Sequence, residues 1–216
     1  MARFKQELKR RKHVSPALYE AGYSSTSRVY ERTNEQLGMT PAKYARGGEG
    51  LGIAYVTVPT SLGRLLVAAT ERGVCRVSLG DNAAALEAEL VAEFPGARVV
   101  QDKSGKLEGW VGAILAYLDG REPHLDLPLD IRATAFQRRV WQELQRIPFG
   151  KTRTYAEIAK RIGQPTATRA VARACATNPA ALVIPCHRVI TEGGDLGGYR
   201  WGADRKRALL ERERDA

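Results

Sequence analysis

Near the C-terminal end of the 216-residue chain, Cys186, His187 and Arg188 stand in a row, directly after the apolar run Ala181-Leu182-Val183-Ile184 and Pro185. A thiolate is a nucleophile and a thiol is not, so the chemistry of such a row turns on what removes the proton. A neighbouring imidazole and guanidinium lower a thiol pKa below its usual value of about 8.5, and that lowering is expected for Cys186. Consecutive side chains on an extended backbone point to opposite faces, so a bridging water, rather than direct contact, would link His187 to the sulfur. A core histidine satisfied by its surroundings is the competing reading, which adjacency does not exclude. Cys75 and Cys175 have no histidine beside them and read as small core residues. Three cysteines without a CxxC pair make neither a disulfide framework nor a four-cysteine zinc site.

The elements that must hold this row are helical. Phe136, Val140, Trp141, Leu144 and Ile147 form one apolar stripe that ends at Pro148-Phe149-Gly150. Thr154 followed by Glu157 is a capping box and predicts a helix from Tyr155 to Ile162, stopped by Gly163. A second helix, from about Ala167 to Ala176, carries Arg169 and Arg173 one turn apart among alanines small enough to let its backbone approach a groove wall. The pair has a helix-turn-helix outline, which an ordinary helical hairpin shares.

Upstream, Ile53 to Val58, Arg64 to Thr70 and Val74 to Leu79 are β-rich runs separated by turn signals, which predicts an antiparallel meander. Ala83 to Phe94 and Leu107 to Leu118 have helical spacing, and Val99-Val100 is a short strand. Leu125, Leu127, Leu129 and Ile131 alternate with polar residues, but Pro128 confines them to an edge strand or an extended connection. The glycines of Gly47-Gly48-Glu49-Gly50 mark a linker. Before it, Ser15-Pro16 starts a short helix that ends at Gly22, and a second runs from Ser24-Ser25-Thr26 to Leu37, stopping at Gly38.

The net charge of +10 is unevenly spread: +6 over residues 1–48, −4 over 49–132 and +8 over 133–216. Two basic ends around an acidic middle favour an anionic polymer as partner, with nucleic acid ahead of a membrane surface. No run of 18 apolar residues occurs, and the opening MARFKQELKRRKH lacks the apolar segment of a secretory signal. A soluble, cytoplasmic protein without membrane contact is therefore expected.

Pro185-Cys186-His187-Arg188 followed by Val189 resembles the active-site signature of the methylated-DNA–protein-cysteine methyltransferases, also called O6-alkylguanine-DNA alkyltransferases. The likeness covers about residues 52 to 214 and has no gap from Phe136 to Glu213. Ala21-Gly22-Tyr23, Ser27 and Leu37-Gly38-Met39-Thr40-Pro41 with Tyr44 resemble one half of an AraC-family helix-turn-helix module. Together they are similar to the Ada type of this family, without its zinc domain. The resemblance implies three parts: a partial AraC-type segment over 1–48, an α/β ribonuclease H-like domain over 49–132, and over 133–216 a mainly helical, winged-helix-like domain that binds DNA and carries the thiol. It implies single-turnover transfer of methyl from O6-methylguanine in double-stranded DNA, and less readily from O4-methylthymine, to Cys186. A monomer without cofactor or metal is implied, with residual regulation of transcription as an added role.

The same resemblance implies roles for single residues. Cys186 matches the acceptor, His187 the base acting through water, Glu213 the acid that orients it, and Asn178 the support of the preceding turn. Tyr155 matches the tyrosine that helps rotate the nucleotide and protonates the guanine ring, beside Thr154. Arg169 matches the residue that fills the vacated stack, with Arg173 one turn on. Cys186 and Val189 would read the exocyclic amine through their carbonyls, and the Arg200 amide, next to Tyr199, would lie near the guanine oxygen. Two rival readings remain: a cysteine hydrolase with a Cys-His-acid triad, and a regulatory protein that binds alkylated DNA without transfer.

Overall fold

Placing Cys186 requires two domains and the seam between them. The computed structural model describes residues 50–215; the helices expected within 1–48 lie outside the described residues. Strands β1 (Gly52–Thr60), β2 (Gly63–Thr70) and β3 (Gly73–Gly80) form the expected antiparallel meander. Strand β4 (Arg98–Gln101) pairs with β1 in parallel, giving the order β3-β2-β1-β4. Helix α1 (Ala83–Glu93) starts at Asn82, whose side-chain oxygen accepts the Ala85 amide, and covers one face through Leu86 and Leu90. The other face carries Leu65, Val67 and Val77 into the main core with helix α2 (Glu108–Leu118), as strand alternation requires.

The free edge of β3 is closed by chain from both domains. Val74 donates to Pro128 O at 2.8 Å and Asp130 donates back to Val74 O at 2.9 Å, so the Leu125–Ile131 stretch is an extended connection with one bridge rather than a strand. Further along, Val77 donates to Pro179 O at 2.9 Å and accepts from Ala181 at 3.1 Å. The turn leading to Cys186 therefore lies on the edge of the first domain's sheet.

The second domain begins with helix α3 (Ala135–Gln145), capped reciprocally by Thr134 and Gln137. Its Trp141 donates to Ala174 O at 3.0 Å and fixes it against the later helix that carries Ala174. Strand β5 (Arg153–Thr154) pairs in parallel with β6 (Val189–Ile190) and leads directly into helix α4 (Tyr155–Arg161). Thr154 and Glu157 form the expected capping box, and α5 spans Thr168–Ala176. Helix α6 (Ala203–Asp215) ends the described chain.

The backbone at the thiol departs from expectation. Residues Cys186–Arg188 form one turn of 3₁₀ helix, not extended chain, and the strand begins only at Val189. Residues 181–184 are turn as well, with Leu182 at a positive φ of 69°. Gly150, at φ 69°, has a similar constraint: a Cβ there would lie 2.6 Å from Glu213 O. Gly150→Ala is expected to destabilise the fold by roughly 1–3 kcal/mol, lowering the melting temperature by several degrees. An unchanged melting curve would contradict this placement.

Candidate active site

Helix α4 presents Tyr155, α5 presents Ala172, Arg173, Cys175 and Ala176, the 3₁₀ turn presents Cys186, and the loop before α6 presents Gly198, Tyr199 and Arg200. These residues line one cavity of about 460 Å³. The β5–β6 pair sets Tyr155 beside the thiol turn, because the residue before Tyr155 is paired with the second residue of β6. The Tyr155 ring packs on Gly197, where a Cβ would lie 3.2 Å from the hydroxyl. Burial, and then the nearby thiols, push the Tyr155 phenol up to about 12, so it stays protonated.

Asn178 holds the turn that carries the thiol. Its carbonyl accepts from Ala180 N at 3.0 Å, while its amide donates to Ile184 O at 2.8 Å and to Cys186 Sγ at 3.2 Å. These bonds maintain the left-handed Leu182. Cys186 itself is 4% exposed.

Behind the thiol, His187 is fully buried and its Nε2 lies 2.6 Å from Glu213 Oε1. The same carboxylate accepts from Arg188 Nε at 2.8 Å, from Gly150 N at 3.2 Å and from the Tyr117 hydroxyl. His187 Nδ1 is buried and has no hydrogen-bond partner. With Nε2 facing a carboxylate, the hydrogen-bond pattern assigns the proton to Nε2 and leaves the Nδ1 lone pair free. Burial lowers the His187 pKa, outweighing the opposing pull of Glu213, so the ring is a neutral base. Burial alone would raise Glu213, but the bonds from His187, Arg188 and Tyr117 bring it down to about 2.

The expectation of a lowered thiol pKa is overturned. Burial pushes the Cys186 thiol up to about 11, against smaller opposing effects from Asn178 and Lys206. Arg188 does not help because its guanidinium is engaged with Glu213, with Ile147 O at 2.7 Å and with the Tyr117 oxygen at 3.2 Å. At rest the sulfur is a buried, neutral thiol.

Of the residues singled out from sequence, Tyr155, Arg173, Cys186, Tyr199 and Arg200 share the cavity, while Asn178, His187 and Glu213 stand behind it. Arg169 is exposed on α5, one turn before Arg173, outside the cavity lining. The Thr154 hydroxyl caps α4 by accepting from Glu157 N at 3.1 Å. The Val189 carbonyl accepts from Lys206 Nζ at 2.5 Å, and the Cys186 carbonyl accepts from Val189 N. Each oxygen retains a second lone pair. The Tyr199 hydroxyl is buried without a partner, and its ring meets Trp201 edge-on at 5.1 Å, with the Arg200 guanidinium over the indole.

Four side chains take parts in the site that the sequence reading did not give them. Cys175 is buried as expected but forms part of the cavity wall. Tyr117 and the Arg188 guanidinium complete the Glu213 cluster. Lys206, inside the basic run Arg205-Lys206-Arg207, is fully buried, holds the Val189 and Leu196 carbonyls, and has its pKa lowered by burial.

Against known proteins, residues 53–131 match the family model of the 6-O-methylguanine DNA methyltransferase ribonuclease-like domain, and residues 135–215 match that of the same enzyme's DNA binding domain. The chain is 44% identical over 211 residues to the bifunctional transcriptional activator/DNA repair enzyme Ada of Escherichia coli, covering 98% of this chain and 59% of the relative. The crystal structure of the Mycobacterium tuberculosis O6-methylguanine methyltransferase superposes with a TM-score of 0.64 at 38% identity, over 76% of this chain and 93% of that one. A structure of the M. tuberculosis OGT in complex with DNA gives 0.63 at 37%, over 76% and 93%. The chain belongs to the 6-O-methylguanine DNA methyltransferase family and has its two-domain fold, a mixed-sheet domain followed by a helical domain. It spans about three fifths of the length of the Ada proteins it matches. Among the described residues no helix is long and apolar enough to cross a membrane.

His187 and Glu213 both have folded pKa values below their ordinary ones. Their contributions to stability are therefore full above about pH 6.5 and 4.5 respectively, and are lost as pH falls, for Glu213 towards about 2. Glu213→Gln is expected to be less stable at neutral pH yet to lose less on acidification, read from urea unfolding midpoints at pH 7 and pH 3. Equal losses in the two proteins would contradict the assignment.

Proposed function

We propose that this protein repairs DNA by direct reversal, taking the methyl group of O6-methylguanine in a duplex onto Cys186 once per molecule. The observation that carries this reading is a thiol in a cavity wall, next to a buried histidine whose Nε2 is held by a carboxylate while Nδ1 stays free. A methyl on the guanine oxygen sits inside the base stack, so the nucleotide must rotate out, at a cost of a few kcal/mol. Exposed Arg169 on α5 fills the gap, and Arg173 and Arg200 border the entrance. A water takes the Cys186 proton and passes its own to Nδ1, and Glu213 stabilises the imidazolium. The sulfur attacks the methyl carbon in line, the S–C bond forms, the C–O bond breaks, and its electron pair returns to guanine as Tyr155 delivers a proton to the ring. The Cys186 and Val189 carbonyls and the Arg200 amide read the base. A thioether is chemically stable, so each chain reacts once.

We further assign the sheet domain to the ribonuclease H-like class, residues 1–48 to a partial AraC-type segment with residual transcriptional regulation, and the protein to a monomeric cytoplasmic existence without cofactor. O4-methylthymine is the secondary substrate. The test is incubation with duplex DNA labelled in the O6-methyl group. One label per chain on Cys186, abolished in Cys186→Ser, is expected; multiple turnovers would indicate a hydrolase, and tight binding without label a damage-sensing regulator.

Two further outcomes follow from the interface. Arg169→Ala is expected to slow repair of duplex far more than reaction with free O6-benzylguanine, and equal losses would remove its role. Raising salt from roughly 50 to 200 mM is expected to weaken DNA binding steeply, because several phosphates are neutralised by Lys and Arg; a flat response would contradict the basic surface.

A further inference from the structure

The Glu213 cluster contains a hydroxyl that the transfer chemistry above does not use. Tyr117 belongs to α2 of the sheet domain, whereas His187, Arg188 and Glu213 all belong to the helical domain. Its hydroxyl donates to Glu213 Oε1, the same oxygen that faces His187 Nε2, and accepts from Arg188 Nη2 at 3.2 Å. It lies 3.3 Å from His187 Nε2. The ring is 4% exposed and meets Phe149 edge-on at 5.9 Å, so the hydroxyl has little freedom to leave.

We propose that Tyr117 is a positioning residue for alkyl transfer, reaching across the domain seam to lock Glu213 Oε1 on His187 Nε2 and so keep Nδ1 as the base. The proposal rests on the alkyl-transfer reading. Without the hydroxyl, Oε1 would lose the Tyr117 donor that approaches from the opposite domain, and the carboxylate could turn fully onto Arg188. The Nε2–H tautomer would then lose its preference, and Nδ1 would be protonated in part of the population. Burial raises the phenol pKa well above its ordinary value, so Tyr117 remains a donor throughout the working range. The sheet domain thereby belongs to the catalytic unit. Two nearby ties support the same seam: Arg212 donates to Leu118 O at 3.2 Å and to Ser61 Oγ at 2.9 Å, anchoring α6 beside Glu213.

The charged and titratable groups around the imidazole are Glu213 and Lys206 on α6, Arg188 on the 3₁₀ turn and Tyr117 on α2, with the Cys186 thiol as its chain neighbour. Removing the phenol lets the carboxylate leave Nε2 for Arg188, so the imidazolium loses its counter-charge and His187 becomes less basic. Strengthening it as a donor does the reverse.

The experiment measures, in the full chain, the second-order rate of Cys186 alkylation by free O6-benzylguanine against pH, and the His187 tautomer by two-bond proton–nitrogen NMR. Tyr117→Phe is expected to react roughly tenfold more slowly, as for loss of a hydrogen bond to a charged group. The acid limb of its profile is expected to move to lower pH, and its ring to show mixed tautomers. Replacement of Tyr117 by 3-fluorotyrosine, which keeps the shape and makes a stronger donor, is expected to move the same limb to higher pH. In a Glu213→Gln background, Tyr117→Phe is expected to add nothing to the loss. A merely structural tyrosine would change the melting temperature and leave both the limb and the tautomer as in the parent; that result overturns the proposal. If the parent itself does not alkylate Cys186, the alkyl-transfer reading fails, and the tautomer measurement still decides the part played by Tyr117.

Discussion

A single buried carboxylate organises this molecule. Glu213, 5% exposed, is the meeting point of four chain segments: α6, which carries it, the turn at Gly150, the 3₁₀ turn with His187 and Arg188, and α2 with Tyr117. An ionised carboxylate inside a protein must be surrounded by donors or it neutralises, and a partner removed leaves a charge that costs several kcal/mol. Satisfying Glu213 thus fixes at once the rotation of the imidazole, the path of the turn that carries the thiol, and the docking of one domain on the other. The β3 edge reinforces the arrangement, since Val77 binds both Pro179 and Ala181 at the start of the same turn.

The thiol is kept unreactive by the same burial that protects the carboxylate. Desolvation disfavours the thiolate more than Asn178 and Lys206 favour it. A free, low-pKa cysteine would be open to oxidation and to any passing electrophile. On the proposed reading, a neutral thiol with an adjacent neutral base would release its proton when a substrate fills the cavity, which would couple nucleophilicity to recognition. On the proposed single-turnover reading, such restraint would preserve the molecule for its target.

Much of this was legible in the chain, for reasons specific to each part. The Thr154–Glu157 capping box and the meander are local signals, decided by residues within a few positions of each other. The Cys186-His187 row declares its chemistry by residue type. What sequence did not reveal is nonlocal. Tyr117 sits at ordinary core spacing with Ile114 and Leu118, and its partners lie 70 and 96 positions away. Lys206 stands between two arginines and looks like surface. The extended backbone expected at Cys186 is replaced by a turn because Asn178 binds Ile184 and Ala180 around a left-handed Leu182, a geometry no periodicity encodes. The lowered thiol pKa failed for a related reason: the charge of Arg188, adjacent in sequence, is spent on Glu213.

The central claim is that Cys186 rests as a neutral thiol and gains its nucleophilicity through His187 and Glu213. Its most direct test is ultraviolet titration of the DNA-free protein, taken as the thiolate difference between the parent and Cys186→Ser. The account predicts no thiolate from Cys186 through the ordinary range near pH 8.5, with ionisation only towards about 11. A Cys186 half-ionised at or below that ordinary value would contradict it.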